Sequence, residues 1–436
     1  MLKVGFGRID IMPQEHIELG GYGNGPHRVS THVIDPLFAT CVAITDEQDN
    51  TLLLITMDLL HSQPYMFGPI REYITAETGI PEENILVACT HTHTGPDIGN
   101  PGPRRVNEYM AYANKRIPEA AYAALADRKE ATVLGGVSQT ENLNFVRHYL
   151  RQDGTVGVGT LASNPPVRHM ADADGRLRLL RFCREEGQDI LMMNWPCHPD
   201  MMGGGKTTGI SADYIGALRT CLEVETDCLF AFFQGAGGNI TPTSHVAKPK
   251  IRYTRNQYAK ILSKAVLELL PRLEPVQVGD LKLMRRIYQC PIDHTTDSKV
   301  EEAKKIWDMF LETGDTKLVW PIAREHGYNS GYACRAVLQR AAAPETVPLE
   351  LSVAVLGELA FGTAPCELFD TAGAQFVDNS PCKTTWMLAY CNGAEGYFPN
   401  HHAFSYGCYE VDTHIFAEGS AEGIADNLLD MIRQLT

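Results

Sequence analysis

Ile85-Leu-Val-Ala-Cys89 is a wholly apolar run that passes directly into Thr90-His91-Thr-His93-Thr-Gly-Pro96. A run this short and this continuous reads as a strand buried on both faces, and the Gly-Pro pair ends it in a loop. Residues two apart in extended chain point to the same side, so His91 and His93 are expected to face one cleft. The chain has 15 histidines, and the pair alone leaves two readings open: metal ligands, or loop histidines hydrogen-bonded to backbone.

The same construction recurs. Ile190-Leu-Met-Met-Asn-Trp195 is a second buried strand, and it delivers His198 in Pro196-Cys-His198-Pro-Asp200. Two strand ends that each offer a histidine supply what a histidine-based zinc site needs, because distant segments must converge on one ion; a loop histidine made rigid by its proline neighbours is the alternative. The apolar stretch Val353 to Phe361 leads into Gly362-Thr-Ala-Pro-Cys-Glu367. Glu367 is either the carboxylate of a zinc site with an open water position or an acid favoured at a helix N-terminus. Met387 to Cys391 is followed by Asn392-Gly-Ala-Glu-Gly-Tyr397, where side-chain chemistry alone marks Tyr397 only as a half-buried aromatic.

Ala39 to Thr45, Leu52 to Met57 and Cys228 to Phe233 read as further buried strands, and Leu2 onward as a strand at the start. Between them, helices are expected at Met66 to Thr78, Glu108 to Ala126, Ala212 to Leu222, Asn256 to Leu270, Val300 to Leu311 and Ala421 to Leu435. This alternation predicts an α/β fold: a single catalytic domain over residues 1–436 with a central, mostly buried sheet flanked by helices. The more polar stretch at about 293–344 is expected to form a helical side subdomain or lid.

At 44% hydrophobic residues the chain has enough apolar material for a large core, and no stretch approaches the roughly 18 uninterrupted apolar positions of a membrane span. A formal net charge of −15 argues against nucleic acid and anionic membrane surfaces as partners. The 12 cysteines are scattered without a Cys-x-x-Cys pair and read as reduced, buried thiols. With no apolar leader before the first strand, the expected location is the cytoplasm, without stable membrane anchoring.

In this order, the pieces resemble the catalytic domain of the neutral/alkaline, non-lysosomal ceramidase family. Gly5-Phe-Gly-Arg-Ile-Asp10 with Gly20-Gly-Tyr22-Gly resembles its first strand and glycine-tyrosine turn, and Asp35-Pro-Leu-Phe-Ala39 and Asp58 match its next segments. Thr90 to Pro96 matches its Thr-His-Thr-His-Ser-Gly-Pro signature with one Ser-to-Thr change. His198 with Ser211-Ala-Asp213-Tyr-Ile-Gly216, Glu367 in Pro-Cys-Glu-Leu, and Asn392 with Tyr397 extend the likeness over nearly the whole chain.

The resemblance implies a zinc ion held by His91, His198, Glu367 and Tyr397, with His93 contacting the substrate or transition state and Asp58 orienting a ligand histidine. Zinc lowers the pKa of bound water toward about 7 and polarises the carbonyl under attack. Three departures stand out. Gly238-Asn239-Ile-Thr241-Pro242 replaces the family's Gly-Asp-Val-Ser-Pro, so Thr241 stands where the family has a serine proposed as nucleophile, which favours an attacking water. The family's Asn-Arg-Ser element is approximated by Asn144-Phe-Val-Arg147-His148, which makes Arg147 the oxyanion contact. Thr436 follows soon after the last expected helix, so the C-terminal immunoglobulin-like domain of ceramidases that act at membranes is not expected here. The expected activity is zinc-dependent hydrolysis, by metal-activated water, of the amide of an N-acylated small molecule or ceramide-like lipid. An esterase or lactonase, or a catalytically silent ligand-binding relative, are the alternatives.

Overall fold

The computed structural model describes residues 2–22, 28–99, 103–159, 162–202 and 204–436. Eight principal strands build a nine-stranded sheet: β1 (Leu2–Asp10), β2 (Phe38–Thr45), β3 (Thr51–Met57), β4 (Ile85–Cys89), β5 (Lys129–Gln139), β6 (Arg176–Arg184), β7 (Ile190–Trp195) and β8 (Leu229–Gln234). They lie in the order β8-β7-β6-β5-β1-β2-β3-β4, and the short Glu274–Pro275 strand joins β5. Only the pairs nearest the edges, β3 with β4 and β7 with β8, are parallel; the interior pairs are antiparallel.

Four more strands form a second sheet in the order β9-β10-β11-β12: β9 (Leu281–Pro291), β10 (Thr346–Leu356), β11 (Leu359–Thr363) and β12 (Thr384–Leu388). The stretch expected as one strand from Val353 to Phe361 is thus the hairpin β10-β11. It turns at Gly357, whose positive φ of 62° favours glycine and where a Cβ would meet the Gln277 carbonyl oxygen at 2.6 Å.

The two sheets explain why the strands are apolar on both faces. Leu52 and Leu54 of β3 join Leu86, Phe233, Phe361 and Trp386 in a core between the sheets. Leu53, Ile55 and Met57 of the same strand pack under α1 (Pro64–Thr78), α2 (Arg104–Arg116) and α3 (Pro118–Ala126). The helix expected over Glu108 to Ala126 is therefore two, with Pro118 opening the second at a position where its missing N–H costs nothing. Gly5 and Gly7 let α3 lie directly on β1, since a Cβ on either would sit 2.0 Å from the Ala124 or Ala120 carbonyl oxygen. At the other end, α4 (Asp213–Thr226) and α5 (Arg255–Leu269) cover β6 to β8.

The second sheet carries α9 (Asp370–Asp378) and α12 (Ser420–Leu435) on its far face, so the layers run helix, sheet, sheet, helix. Within 293–344, α6 (Val300–Thr313), α7 (Thr316–Glu325) and α8 (Gly331–Ala342) close around their own cluster of Ala303, Ile306, Val319, Ala323, Cys334 and Val337. Short helices α10 (His401–Tyr406) and α11 (Tyr409–Thr413) lie between β12 and α12. Among the described residues, no helix is long and apolar enough to cross a membrane.

The large sheet curls until its edge strands meet: Leu86 and Ala88 of β4 share one apolar cluster with Ala231 and Phe233 of β8. This brings the loops after β4 and β7, far apart in strand order, to one place.

Candidate metal centre

Chain leaving β4 is pinned by Thr90 N–H donating to Met57 O and His91 N–H to Leu59 O. His91 then takes a left-handed φ of 70°, a strained backbone that non-glycine residues rarely adopt outside sites that over-determine it. Its Nδ1 donates to the Leu60 carbonyl at 2.8 Å, and its ring stacks on Tyr390 with centroids 4.1 Å apart. Thr92 and Thr94 both donate to Ser211 O, fixing the loop between the two histidines. His93 lies on the same side as His91, with Nε2 atoms 3.3 Å apart. The glycine-tyrosine turn packs directly on it: a Cβ at Gly21 would come within 2.6 Å of the His93 side chain. Gly23, the last residue of that turn's motif, lies outside the described residues.

His198 arrives from β7, its Nδ1 donating to the Gly237 carbonyl at 2.8 Å. Glu367 is set by a two-residue parallel pairing of Glu367–Leu368 with Tyr397–Phe398, which puts Glu367 and Tyr397 side by side. One carboxylate oxygen, Oε2, lies 3.2 Å from Nε2 of both His91 and His198. The helix-terminus reading of Glu367 does not hold, because the acid in the first turn of α9 is Asp370, bonded to Asn239.

This geometry asks for a cation. A neutral imidazole carries one N–H, and in both histidines it is spent on a backbone carbonyl; each Nε2 then presents a lone pair to a carboxylate. Protonating the rings is opposed at His198, whose pKa burial and the Arg147 charge push down, and at His93, where burial and the neighbouring histidine do the same. Burial works against charge on Glu367, and its carboxyl is held well below the usual range only when His91 and His198 carry positive charge, which a cation bound between them would supply instead. Two or three imidazole nitrogens and a carboxylate, largely buried and with the His91 and His198 rings already oriented by carbonyls, suit zinc better than calcium or magnesium, which favour oxygen shells.

Tyr397 borders the group, its ring centroid 6.5 Å from that of His198 and 5.8 Å from that of Tyr409. Burial, and then the negative Glu367, push its phenol pKa well up, so a cation is what would favour the phenolate. Arg147 lies over the same ring, its guanidinium carbon 5.2 Å from the centroid. The residue is placed by the pairing of Phe145–Val146 with Ile240–Thr241, which also brings Thr241 to the site. Arg147 Nε donates to Glu410 Oε1 at 2.5 Å, and the fully buried Glu410 takes His148 Nε2 on its other oxygen at 2.8 Å. Burial opposes charge on both partners, but their pairing wins: Arg147 is held well above its ordinary pKa and Glu410 well below. Nη2 of Arg147 is buried with no partner among the described residues.

Two cavities meet at these groups. One, of about 570 Å³, is lined by His91, Glu367, His61, Glu18, Arg28 and Arg335; the other, of about 530 Å³, by Arg147, Thr241, Tyr149, His245 and Tyr332. Tyr22, His93, Tyr397 and Tyr409 belong to both. Among the described residues, the aliphatic lining side chains are Leu19 and Leu60 in the first and Val158 in the second, and the other lining side chains are polar or aromatic.

Asp58 is the correction. Both its oxygens accept from Arg219 Nη2, at 2.9 and 2.8 Å, and Oδ2 also takes the Phe38 N–H. Asp58 is thus spent on Arg219 and the Phe38 N–H, and the His91 and His198 rings are oriented by the Leu60 and Gly237 carbonyls instead. Sequence reading missed His61, Tyr390 and Glu410. His61, whose imidazole burial and the nearby His91 push down to about 4, lies with its ring 5.5 Å from that of His91. The signal for Tyr390 was its place two residues past the end of β12, directly before Cys391-Asn392; that for Glu410 was an acid flanked by Tyr409 and Val411.

No family model matches the sequence, and no curated protein aligns with it. Solved structures do match. Neutral ceramidase from Pseudomonas aeruginosa superposes with a TM-score of 0.73 at 16% identity, covering 100% of this chain and 74% of that one. A ceramidase complexed with C2 gives a TM-score of 0.73 at 17% identity, covering 100% of this chain and 75% of that one. The resemblance read from Thr90 to Pro96 and its companion motifs is thus matched in three dimensions, and over its whole length this chain has the fold of neutral ceramidase.

Proposed function

We propose that this chain is a zinc-dependent hydrolase that cleaves the amide bond of an N-acylated small molecule with metal-activated water. The observation that carries the reading is the single Glu367 oxygen 3.2 Å from two histidine Nε2 atoms whose Nδ1 protons are already committed to carbonyls. His91, His198, Glu367 and Tyr397 would hold the ion, and bound zinc supplies Lewis-acid activation of water and of a carbonyl.

The remaining roles belong to the chain itself. The unpartnered Arg147 Nη2 is held by Glu410 where it can donate to the oxygen on which charge develops. His93, on the wall common to both cavities, contacts the reacting group, and Thr241 positions the substrate from the second cavity without a nucleophilic role. Cavities on either side of that wall suit a substrate with a limb on each side of its scissile bond. The helices α6 to α8 contribute Tyr332 and Arg335 to the walls and act as the lid over them. All twelve cysteines are free thiols, ten of them buried, which favours a reducing compartment such as the cytoplasm.

Among the described residues the walls carry three aliphatic side chains, which favours short or polar N-acyl compounds over a long-chain lipid amide. Purified enzyme is expected to turn over short N-acyl amides with higher kcat/KM than long-chain ceramide in micelles, and faster than matched esters relative to their uncatalysed rates. A higher kcat/KM on long-chain ceramide would restore a lipid substrate; activity on esters alone would move the assignment to an esterase or lactonase.

Tyr397→Phe is expected to lower kcat at least tenfold while the melting temperature falls by no more than a few degrees. The ring still packs on Tyr409 and only the metal-directed hydroxyl is lost. Wild-type turnover by this variant would remove Tyr397 from the ligand set.

A further inference from the structure

Among the described residues, the charged groups around the 570 Å³ cleft are paired, with one exception. Glu18 is bound by Arg105 at 2.8 Å. Arg28 lies over the Tyr22 ring and donates to the carbonyls of Leu19, Gly20, His93 and Thr207, with Asp97 as its nearby counter-charge. Glu367 faces His91 and His198. Across the shared wall, Arg147 is paired with Glu410. Arg335 lines the same cleft, exposed, from α8. Its recorded contact is with the face of Trp307, 5.8 Å from the guanidinium carbon, and among the described residues it has no carboxylate partner.

Its placement is firm. Tyr332, one turn earlier on α8, packs on Trp320 with centroids 5.1 Å apart and on Tyr409 at 5.9 Å, and Tyr409 in turn packs on Tyr397. An aromatic chain thus ties α8 to the metal centre. Trp307 backs the guanidinium with an apolar face, which leaves its planar edge of N–H donors free for a bidentate acceptor.

We propose that Arg335 is a specificity-determining residue that binds an anionic group, a carboxylate or its equivalent, on the substrate, so that the preferred substrates are N-acyl compounds bearing a negative charge on one limb. This rests on the amide-hydrolase reading above and narrows it. A guanidinium pairs with a carboxylate through two parallel hydrogen bonds, and discrimination against an uncharged analogue follows because the analogue leaves that pairing unmade.

The test uses matched amides of one chain length: N-hexanoylglycine and N-succinylhexylamine, with the charge on the amine or the acyl limb, and neutral N-hexanoylethanolamine. Wild type is expected to favour one of the two anionic compounds over the neutral one by roughly tenfold or more in kcat/KM. Arg335→Gln should lose that preference, its kcat/KM ratio of anionic to neutral amide falling toward one, and Arg335→Glu should reverse it toward cationic N-hexanoylethylenediamine. Calorimetric binding of the anionic compounds to metal-depleted wild type and Arg335→Gln gives a readout that needs no turnover, and tighter binding to wild type is expected. Equal rates on all three amides, or a preference unaltered in Arg335→Gln, would overturn the inference and leave the hydrolase reading standing. No turnover of any amide, with anion binding still dependent on Arg335, would support the anion site and sink the hydrolase reading; binding independent of Arg335 would overturn the site as well.

Discussion

Alanine at His91 or at His198 is expected to remove metal and activity together: stoichiometric metal falls to background, and kcat falls by at least ~1,000-fold, since water and carbonyl activation both depend on the ion. The structure adds a stability signature. Without a cation, two unprotonated Nε2 atoms face the Glu367 carboxylate at 3.2 Å, an arrangement that a bound ion turns from repulsive to attractive. Chelation should therefore lower the melting temperature of wild type, because ligand that binds only the folded state stabilises it by about 4 kcal/mol at 1,000 times its dissociation constant. The alanine variants should not respond to chelator at all. Variants that kept full metal occupancy, or a wild type indifferent to chelator, would remove His91 and His198 from the ligand set.

The second large effect concerns Arg147 and Glu410. Arg147→Ala should cost ~100- to 1,000-fold in kcat, the scale of losing one oxyanion donor, and roughly 3–5 kcal/mol of stability by leaving the buried Glu410 without its arginine and with His148 as its remaining side-chain partner. Glu410→Gln should also lower kcat, by about 10- to 100-fold, with metal content unchanged, because Arg147 loses the partner that aims it. If Glu410 acts only through Arg147, adding Glu410→Gln to Arg147→Ala produces no further loss of kcat and recovers part of the lost stability. Multiplicative losses of kcat in the double variant would show that Glu410 works independently of Arg147.

What the sequence made legible follows from how each residue is held. His91 and His198 follow unbroken apolar strands, β4 and β7, so run length alone placed them at strand ends. Their convergence was not legible, because it depends on the curl that brings β4 and β8 together. Glu367 and Tyr397 are joined by a two-residue pairing too short to leave a pattern, and only the family resemblance singled out Tyr397. Asp58 was misread because its partner Arg219 lies 161 positions away, on the inner face of α4. Alternating helices and strands suggested one central sheet, and the nine-stranded sheet is there; the second sheet, folded against it from β9 to β12, was hidden because strands buried between layers are apolar on both faces whatever covers them.

Four donors around one zinc ion carry the proposed chemistry, and X-ray absorption at the zinc edge on protein purified without chelator reads that shell. One zinc per chain is expected, with two histidine nitrogens at about 2.0–2.1 Å, the remaining scatterers oxygen, and no sulfur; the oxygen count should drop by one in Tyr397→Phe. Absence of a transition metal, or a sulfur scatterer at about 2.3 Å placing the ion instead at the buried His148, Cys408 and Glu410 group, would contradict it.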